Sequence, residues 1–292
     1  MSSESALNKG TPYLLSIVRV VIGFLVLWHG MLKTFGYPTA NAHVPLMSML
    51  GIAGLIELAG GALIILGLLT RPVAVVLTLE MAVMYLTQNL PKGYLTLRNG
   101  GEPAAFYTFF FLVLAAAGAG AWSVDRLISR KSAGRSTYFA SGAPAIALGL
   151  MRIAMAAMFI QHGSEKFLGL PGGRPDYTFT AGIRAWGGLM EFFLSPLLAV
   201  GLFTRPIAFL LSGEMATAYW TRWARLGFWQ SIARGEPAIY FCFMFLLLFL
   251  TGSGGLALDN VFEIKRRKKS VSEPVMETVS ATGAYQPARQ EQ

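Results

Sequence analysis

The chain alternates between long apolar segments and short polar connections. The first apolar segment, residues 13–32, gives about 20 positions, enough to cross roughly 30 Å of hydrocarbon as a helix. Seven more lie near 46–69, 72–90, 103–121, 144–165, 185–203, 206–221 and 237–257. Backbone groups in lipid must be satisfied internally, and the strict alternation of a membrane barrel is absent from these segments. Each is therefore predicted to be an α-helix, which gives about eight transmembrane helices.

Polar stretches divide the chain into two units. Residues 127–143 are basic and contain Ser and Gly, which is typical of a linker. Residues 263–292 begin with a basic cluster and then lose hydrophobic periodicity, which predicts a disordered tail. We therefore expect a first four-helix unit over 12–126 and a second over 144–262.

The composition supports a polytopic membrane protein. Apolar residues make up 54% of the chain and charged residues only 13%, and the mean hydropathy is +0.53. A soluble protein carries about 25% charged residues, so these values exclude disorder and argue against an ordinary water-soluble enzyme. The single cysteine, Cys242, excludes an internal disulfide, a Cys-ligated iron–sulfur cluster and a CxxC redox pair.

The positive charge indicates a lipid partner. The chain carries a net charge of +9, much of it at 126–135 and 265–269, beside apolar segments. Anionic lipid is therefore the expected partner, and nucleic acid is not. Lys and Arg are more frequent on the side that holds the N-terminus, which favours cytoplasmic N- and C-termini. We expect a multi-pass protein of the bacterial cytoplasmic (inner) membrane.

The sequence repeats itself. At an offset of 133 residues, Arg19, His29, Gly30, Lys33 and Gly36 match Arg152, His162, Gly163, Lys166 and Gly169. At an offset of 134 residues, Glu57, Thr70-Arg71-Pro72, Glu80, Gly101-Glu102-Pro103 and Asp125 match Glu191, Thr204-Arg205-Pro206, Glu214, Gly235-Glu236-Pro237 and Asp259. This pattern indicates a tandem duplication. Because each unit has an even number of helices, the units should be related by a pseudo-two-fold axis along the membrane normal.

The order and spacing of these motifs, seen twice, resemble the DoxX family. The resemblance covers residues 12–125 and 146–260, so the chain looks like a tandem of two DoxX units. It implies a small four-helix integral membrane unit. It also implies an association with membrane redox systems, which in this family include a subunit of a thiosulfate:quinone oxidoreductase, and with oxidative-stress complexes.

Ten ionisable side chains in the apolar segments are candidates for binding a ligand or handling protons. They are Arg19, His29, Lys33, Glu57 and Glu80 in the first half, and Arg152, His162, Lys166, Glu191 and Glu214 in the second. The cations of the first helix share one face at about 100° per residue. We expect each arginine to face one or both glutamates of its half, because an unpaired intramembrane charge costs at least ~2.5 kcal/mol. The pairs are either structural or part of a polar pocket.

The histidines raise the question of a cofactor. Two histidines without spacing constraints are not a haem motif, and lysines beside them would repel a ferric centre, so haem is disfavoured. A histidine at a helix end is expected to bond a neighbouring carboxylate or loop carbonyl. A quinone is the better redox ligand, because its carbonyls need donors and its reduction needs proton carriers. No His, Cys and carboxylate cluster has ligand spacing, so no metal site is predicted.

Other polar residues of the repeat have structural interpretations. Thr70 and its counterpart Thr204 are expected to cap the following helix. Glu102 and its counterpart precede a proline at a helix start, where the helix dipole favours negative charge. Asp125 and its counterpart are read as local caps.

Three functions remain open. The first is a redox-associated membrane subunit or accessory protein that interacts with quinone and a redox partner protein, within a quinone-linked oxidoreductase if it is catalytic. The second is a carrier for a small hydrophobic or weakly anionic solute, with the cationic helix ends as a funnel. The third is a non-catalytic scaffold for a redox complex. No nucleotide loop or hydrolytic triad is visible in the sequence.

Overall fold

The computed structural model describes residues 3–38, 44–129, 139, 141–170, 172 and 182–262. Within these ranges all regular secondary structure is helical. The first half contains α1 (Ser3–Phe35), α2 (Met49–Leu66), α3 (Thr70–Met84), α4 (Thr96–Asn99), α5 (Glu102–Ala117) and α6 (Val124–Ser129). The second half contains α7 (Gly142–Leu168), α8 (Ile183–Val200), α9 (Thr204–Arg222) and α10 (Phe228–Thr251). Most of the predicted linker and all of the predicted tail lie outside the described residues.

Five described helical stretches are long and apolar enough to cross a membrane. They are Lys9–Phe35, Met49–Leu66, Thr70–Lys92, Gly142–Leu168 and Ile232–Thr251. The third includes α3 and the π-helical and 3₁₀ turns that continue it. Large apolar side chains such as Leu79, Val83 and Phe209 are exposed on outer faces, as lipid contact requires. The chain is a helical membrane protein, which confirms the prediction from composition.

The two halves share one apolar core. Within each half, α1 packs on α2 and α7 on α8, while α3 packs on α5 and α9 on α10. Across the halves, α5 packs on α7 and α1 on α10. Aromatic rings fill this interface: Phe106 stacks on Tyr240 with centroids 4.1 Å apart, and it meets Phe241 edge-on at 5.7 Å. Polar groups at this interface are consequently shielded from water.

Glycines of the repeated motif bring helices into backbone contact. A methyl group at Gly30 would lie 2.4 Å from the Leu58 nitrogen, and one at Gly163 would lie 2.4 Å from the Phe192 nitrogen. Only a residue without a side chain allows this approach. This close approach places α1 against α2 near Glu57, and α7 against α8 near Glu191.

The turn before α3 is held by an aspartate from the end of the same half. Asp125 accepts hydrogen bonds from the Leu69 and Thr70 nitrogens at 2.7 and 2.8 Å. Asp259 does the same for Phe203 and Thr204 at 2.9 and 3.0 Å. The aspartates are caps, as expected, but they are not local: each caps a helix that begins 55 residues earlier in the chain. The threonines are not, because the N-cap residues are Leu69 and Phe203 and neither threonine hydroxyl has a partner.

Candidate functional site

Each half holds a buried lysine–glutamate ion pair. Lys33 Nζ on α1 donates to Glu57 Oε1 on α2 at 2.5 Å, and Lys166 on α7 donates to Glu191 on α8 in the same way. Glu57 is 2% exposed and Glu191 1%. The glycine contacts place these partners together, because Gly30 and Gly163 lie one helical turn before the lysines. Glu57 lies eight residues inside α2, which is about 12 Å from its start.

A second carboxyl group lies beside each ion pair and has no donor. Both oxygens of Glu80, on α3, are buried without a hydrogen-bond partner, and so is Glu57 Oε2. The charges of Glu57, Lys33 and His29 act on Glu80. In the second half, Glu191 Oε2 and Glu214 Oε2 are likewise buried without a hydrogen-bond partner. Burying a carboxylate oxygen without a donor is costly, and the neutral acid is cheaper to bury.

Each of the two histidines that the structure describes, His29 and His162, bonds a glutamate of the opposite half. His29 Nε2 lies 2.8 Å from Glu236 Oε1, and the Tyr107 hydroxyl donates to the same oxygen. The expectation that the histidine bonds a carboxylate is thus confirmed. The partner, however, comes from α10 and not from the first half. Glu236 lies inside α10, so the prediction that it is a charge at a helix start is wrong.

The reciprocal contact completes the arrangement. His162 Nε2 lies 2.9 Å from Glu102 Oε2 and 3.0 Å from Oε1, and the Tyr240 hydroxyl donates to Glu102 Oε1 at 3.3 Å. Glu102 does lie at a helix start, as expected. It is only 6% exposed, however, and its carboxylate bonds His162 of the opposite half. The charge of Glu57 acts on His29 and that of Glu191 on His162, so these centres adjoin the lysine–glutamate pairs.

The arginines do not face the glutamates, and that prediction is wrong. Arg19 is 1% exposed and donates only to backbone carbonyls: Ala119 at 2.9 Å, Ile65 at 2.8 Å, Trp122 at 2.5 Å, and Ile64. Arg152 likewise bonds the carbonyls of Ser253, Gly255, Ala199 and Leu256. The reason is axial position. Arg19 lies 14 residues, about 21 Å, from Lys33 along α1, opposite the end of α2, whose last carbonyls lack helical partners.

The first half also holds an unpartnered donor. Trp28 is 5% exposed, its ring lies 5.0 Å from that of His29, and its Nε1 has no hydrogen-bond partner. The repeat places Gln161 at the corresponding position of the second half. The Gln161 side-chain oxygen is engaged there by Thr96 and Leu97 at 3.3 Å. Trp28 Nε1 is therefore a buried donor without a partner, whereas the Gln161 amide nitrogen donates to the Ala157 carbonyl oxygen at 2.9 Å.

The arrangement is acidic and rich in hydrogen-bonding groups, without features of a metal centre. No group of three or more His, Cys, Asp or Glu side chains within the described ranges could hold a metal ion. The Nε2 atoms of His29 and His162 are each occupied by a glutamate. What the groups can do chemically is exchange protons and exchange hydrogen bonds with a neutral polar ligand.

Comparison with known proteins identifies the repeated unit. The DoxX family model matches residues 14–89 and 147–223, which together make up more than half of the chain. An uncharacterised protein of Haemophilus influenzae is 37% identical over 131 residues, which are 43% of this chain and 98% of the relative. No solved structure matches the chain. The chain belongs to the DoxX family and contains two DoxX regions in tandem.

Proposed function

We propose that this protein is a quinone-interacting, proton-handling subunit of a membrane redox system. The observation that carries the proposal is the pair of buried acids in each half, Glu57 with Glu80 and Glu191 with Glu214, whose free oxygens have no donor. Quinone reduction takes up two electrons and two protons. In this proposal a redox partner protein supplies the electrons, and the acid pairs supply the protons.

The first half is the better ligand site. A quinone carbonyl needs a donor, and the hydroquinone hydroxyl formed from it needs an acceptor. Trp28 Nε1 is an unpartnered donor and the Glu80 carboxyl an unpartnered acceptor, and both lie beside His29. Lys33, held by Glu57, supplies a positive charge near a developing oxyanion. Arg19 and Arg152 have no part in this scheme. All three nitrogens of Arg19 donate to backbone carbonyls, and so do both terminal nitrogens of Arg152, whose buried Nε has no partner.

The proposal includes a membrane arrangement. The apolar α5 and the helices α8 and α9 correspond by repeat position to α10, α2 and α3. We assign them to the membrane with the five long spans, which gives eight transmembrane helices and a pseudo-two-fold axis along the membrane normal. The four-helix units cover 12–126 and 144–262. The Lys and Arg bias favours both termini in the cytoplasm and contact with anionic lipid at a bacterial inner membrane.

The experiment is quinone binding by the full-length protein. Protein purified in mild detergent is extracted for retained quinone and then titrated with a short-chain quinone, with binding followed by quenching of tryptophan fluorescence and by equilibrium dialysis. We expect a retained or bound quinone in the wild type, and binding at least tenfold weaker in Trp28→Phe and Glu80→Gln. Gln161→Glu is the matched control at the corresponding position of the second half and should bind as the wild type does. Absence of binding in the wild type would refute the proposal.

A carrier is the second candidate, since the same acid pairs suit a solute that moves with protons. Uptake by proteoliposomes distinguishes the two. A carrier loses transport in Glu57→Gln and Glu191→Gln and shows no quinone binding. Binding of quinone without uptake supports the redox subunit. If neutral substitutions lower stability only and both activities are absent, the chain is a scaffold.

A further inference from the structure

The interface between the halves contains a polar centre that neither half has alone. Glu102 and Glu236 are 6% and 5% exposed and lie on α5 and α10, which pack across the interface against α7 and α1. Each half contains one of the two histidines and one of these two glutamates, but the histidine and the glutamate of the same half do not bond each other. Each pairs instead with the complementary residue of the other half, at 2.8 Å for Glu236 and 2.9 Å for Glu102.

The two histidine–glutamate contacts join matching positions of the repeat, but the two tyrosines do not occupy matching positions. The two histidines match at an offset of 133 residues and the two glutamates at 134. At that second offset Tyr107 matches Phe241, and Phe106 matches Tyr240. The tyrosines thus occupy adjacent repeat positions, and the stacked Phe106 and Tyr240 rings, 4.1 Å apart, mark the middle of the interface. Each half supplies one hydroxyl, and each hydroxyl donates to the glutamate of the opposite half.

The two centres are in contact through their tyrosine rings. The Tyr107 and Tyr240 ring centroids are 5.9 Å apart. Tyr240, which bonds Glu102, also lies within reach of the charge of Glu236. Charges in a buried interface are weakly screened, so a change of charge at one centre acts on the other.

We propose that Glu102 and Glu236 are positioning residues that set the ring orientation and charge of the histidine of the opposite half, and that the two centres form one charge-coupled unit. Each histidine lies between a cross-half glutamate and the lysine–glutamate pair of its own half. The groups that act on His29 are Glu236, Glu57 and Lys33, and those on His162 are Glu102, Glu191 and Lys166. When either histidine gains a proton, the electrostatic potential therefore changes at both centres. This inference goes beyond the proposed function and holds for any ligand.

The test measures the charge state of each histidine in the full-length protein. The chain has three histidines, and His43→Gln leaves only the two of interest. With ring-labelled histidine in nanodiscs, nitrogen chemical shifts give the ratio of imidazolium to imidazole at each pH. In Glu236→Gln we expect this ratio to fall at least about tenfold for His29, because a charge-assisted hydrogen bond is lost. We expect a fall of about twofold or more for His162, which Glu236 does not touch.

Three further variants separate positioning from fold stability. Asp259→Asn removes a carboxylate that caps α9 far from the histidines and should leave both ratios unchanged. Glu236→Asp keeps the charge and should restore the His162 ratio to near the wild-type value. Tyr107→Phe keeps the ring and should change the His29 ratio less than Glu236→Gln does. An unchanged His162 ratio in Glu236→Gln would overturn the coupling, and an unchanged His29 ratio would overturn the positioning role.

Discussion

Replacing Arg19 by methionine should destabilise the protein without weakening ligand binding. Methionine retains much of the apolar volume of the arginine side chain but removes every donor. The guanidinium spreads its hydrogen bonds over the end of α2 and the turn after α5, through Ile64, Ile65, Ala119 and Trp122. It therefore joins the end of α2 to the turn after α5, in addition to the backbone bond from the Asp125 nitrogen to the Gly67 carbonyl at 2.9 Å.

The expected magnitude follows from the number of bonds. A hydrogen bond to a charged group contributes ~1.5–3 kcal/mol. Four bonds act on Arg19, but they are not independent, and the Ile65 and Trp122 bonds are only partly buried. Counting the two fully buried bonds alone, to Ile64 and Ala119, we expect a loss of at least ~3 kcal/mol in the free energy of unfolding.

The assay is reversible unfolding in mixed micelles, followed by circular dichroism, beside the quinone titration. Arg205→Met is the matched control, because Arg205 makes a single carbonyl bond, to Phe249 at 3.4 Å, and its removal should cost ~1 kcal/mol or less. The account predicts a large loss of stability in Arg19→Met with ligand affinity intact in the folded fraction. Wild-type stability with lost binding would refute it, because Arg19 would then be a ligand residue.

Three further substitutions test the packing around the site. Glu57→Gln leaves the Lys33 ammonium unpaired and should cost up to ~3 kcal/mol in unfolding titrations, most of it recovered by adding Lys33→Met; equal stability of the single and double variants would contradict a buried ion pair. Gly163→Ala should cost ~1–3 kcal/mol by overpacking, whereas Gly213→Ala, which has open space, should be neutral or stabilising, and thermal melts showing no difference would count against the close approach. Asp125→Ala should lower stability by ~0.5–2 kcal/mol through loss of the cap, and an unchanged midpoint would contradict that role.

The apolar spans correctly predicted a helical membrane protein, and the repeat correctly predicted two DoxX regions in tandem. Helix formation in an apolar environment follows from backbone satisfaction alone, so segments such as 13–32 could be assigned from their length. The internal repeat also identified Glu57, Lys33 and Glu80 as candidates, because each has a matching residue in the second half. The structure brings these three residues together within the first half. These residues share a cluster because Gly30 lets α1 and α2 approach, and the sequence pattern already contained that glycine.

The partners within the site could not be predicted in the same way. Helical periodicity gives the face on which Arg19 lies, but not its depth relative to the next helix, so the carbonyls at the end of α2 were overlooked as partners. Contacts between halves depend on how two units pack, which a repeat does not specify. Glu236 therefore looked like a helix-terminal charge, and Tyr107 had no matching tyrosine in the second half to mark it.

The central claim is that the acid pairs carry exchangeable protons inside the membrane. Infrared difference spectroscopy of the full-length protein in lipid, between acidic and alkaline buffer and in H₂O and D₂O, detects protonated carboxyl groups directly through their C=O stretch. The account predicts a deuterium-sensitive carboxyl band that loses part of its intensity in Glu80→Gln, another part in Glu214→Gln, and nearly all of it in the double variant. A spectrum without such a band, or one that these substitutions leave unchanged, would contradict it.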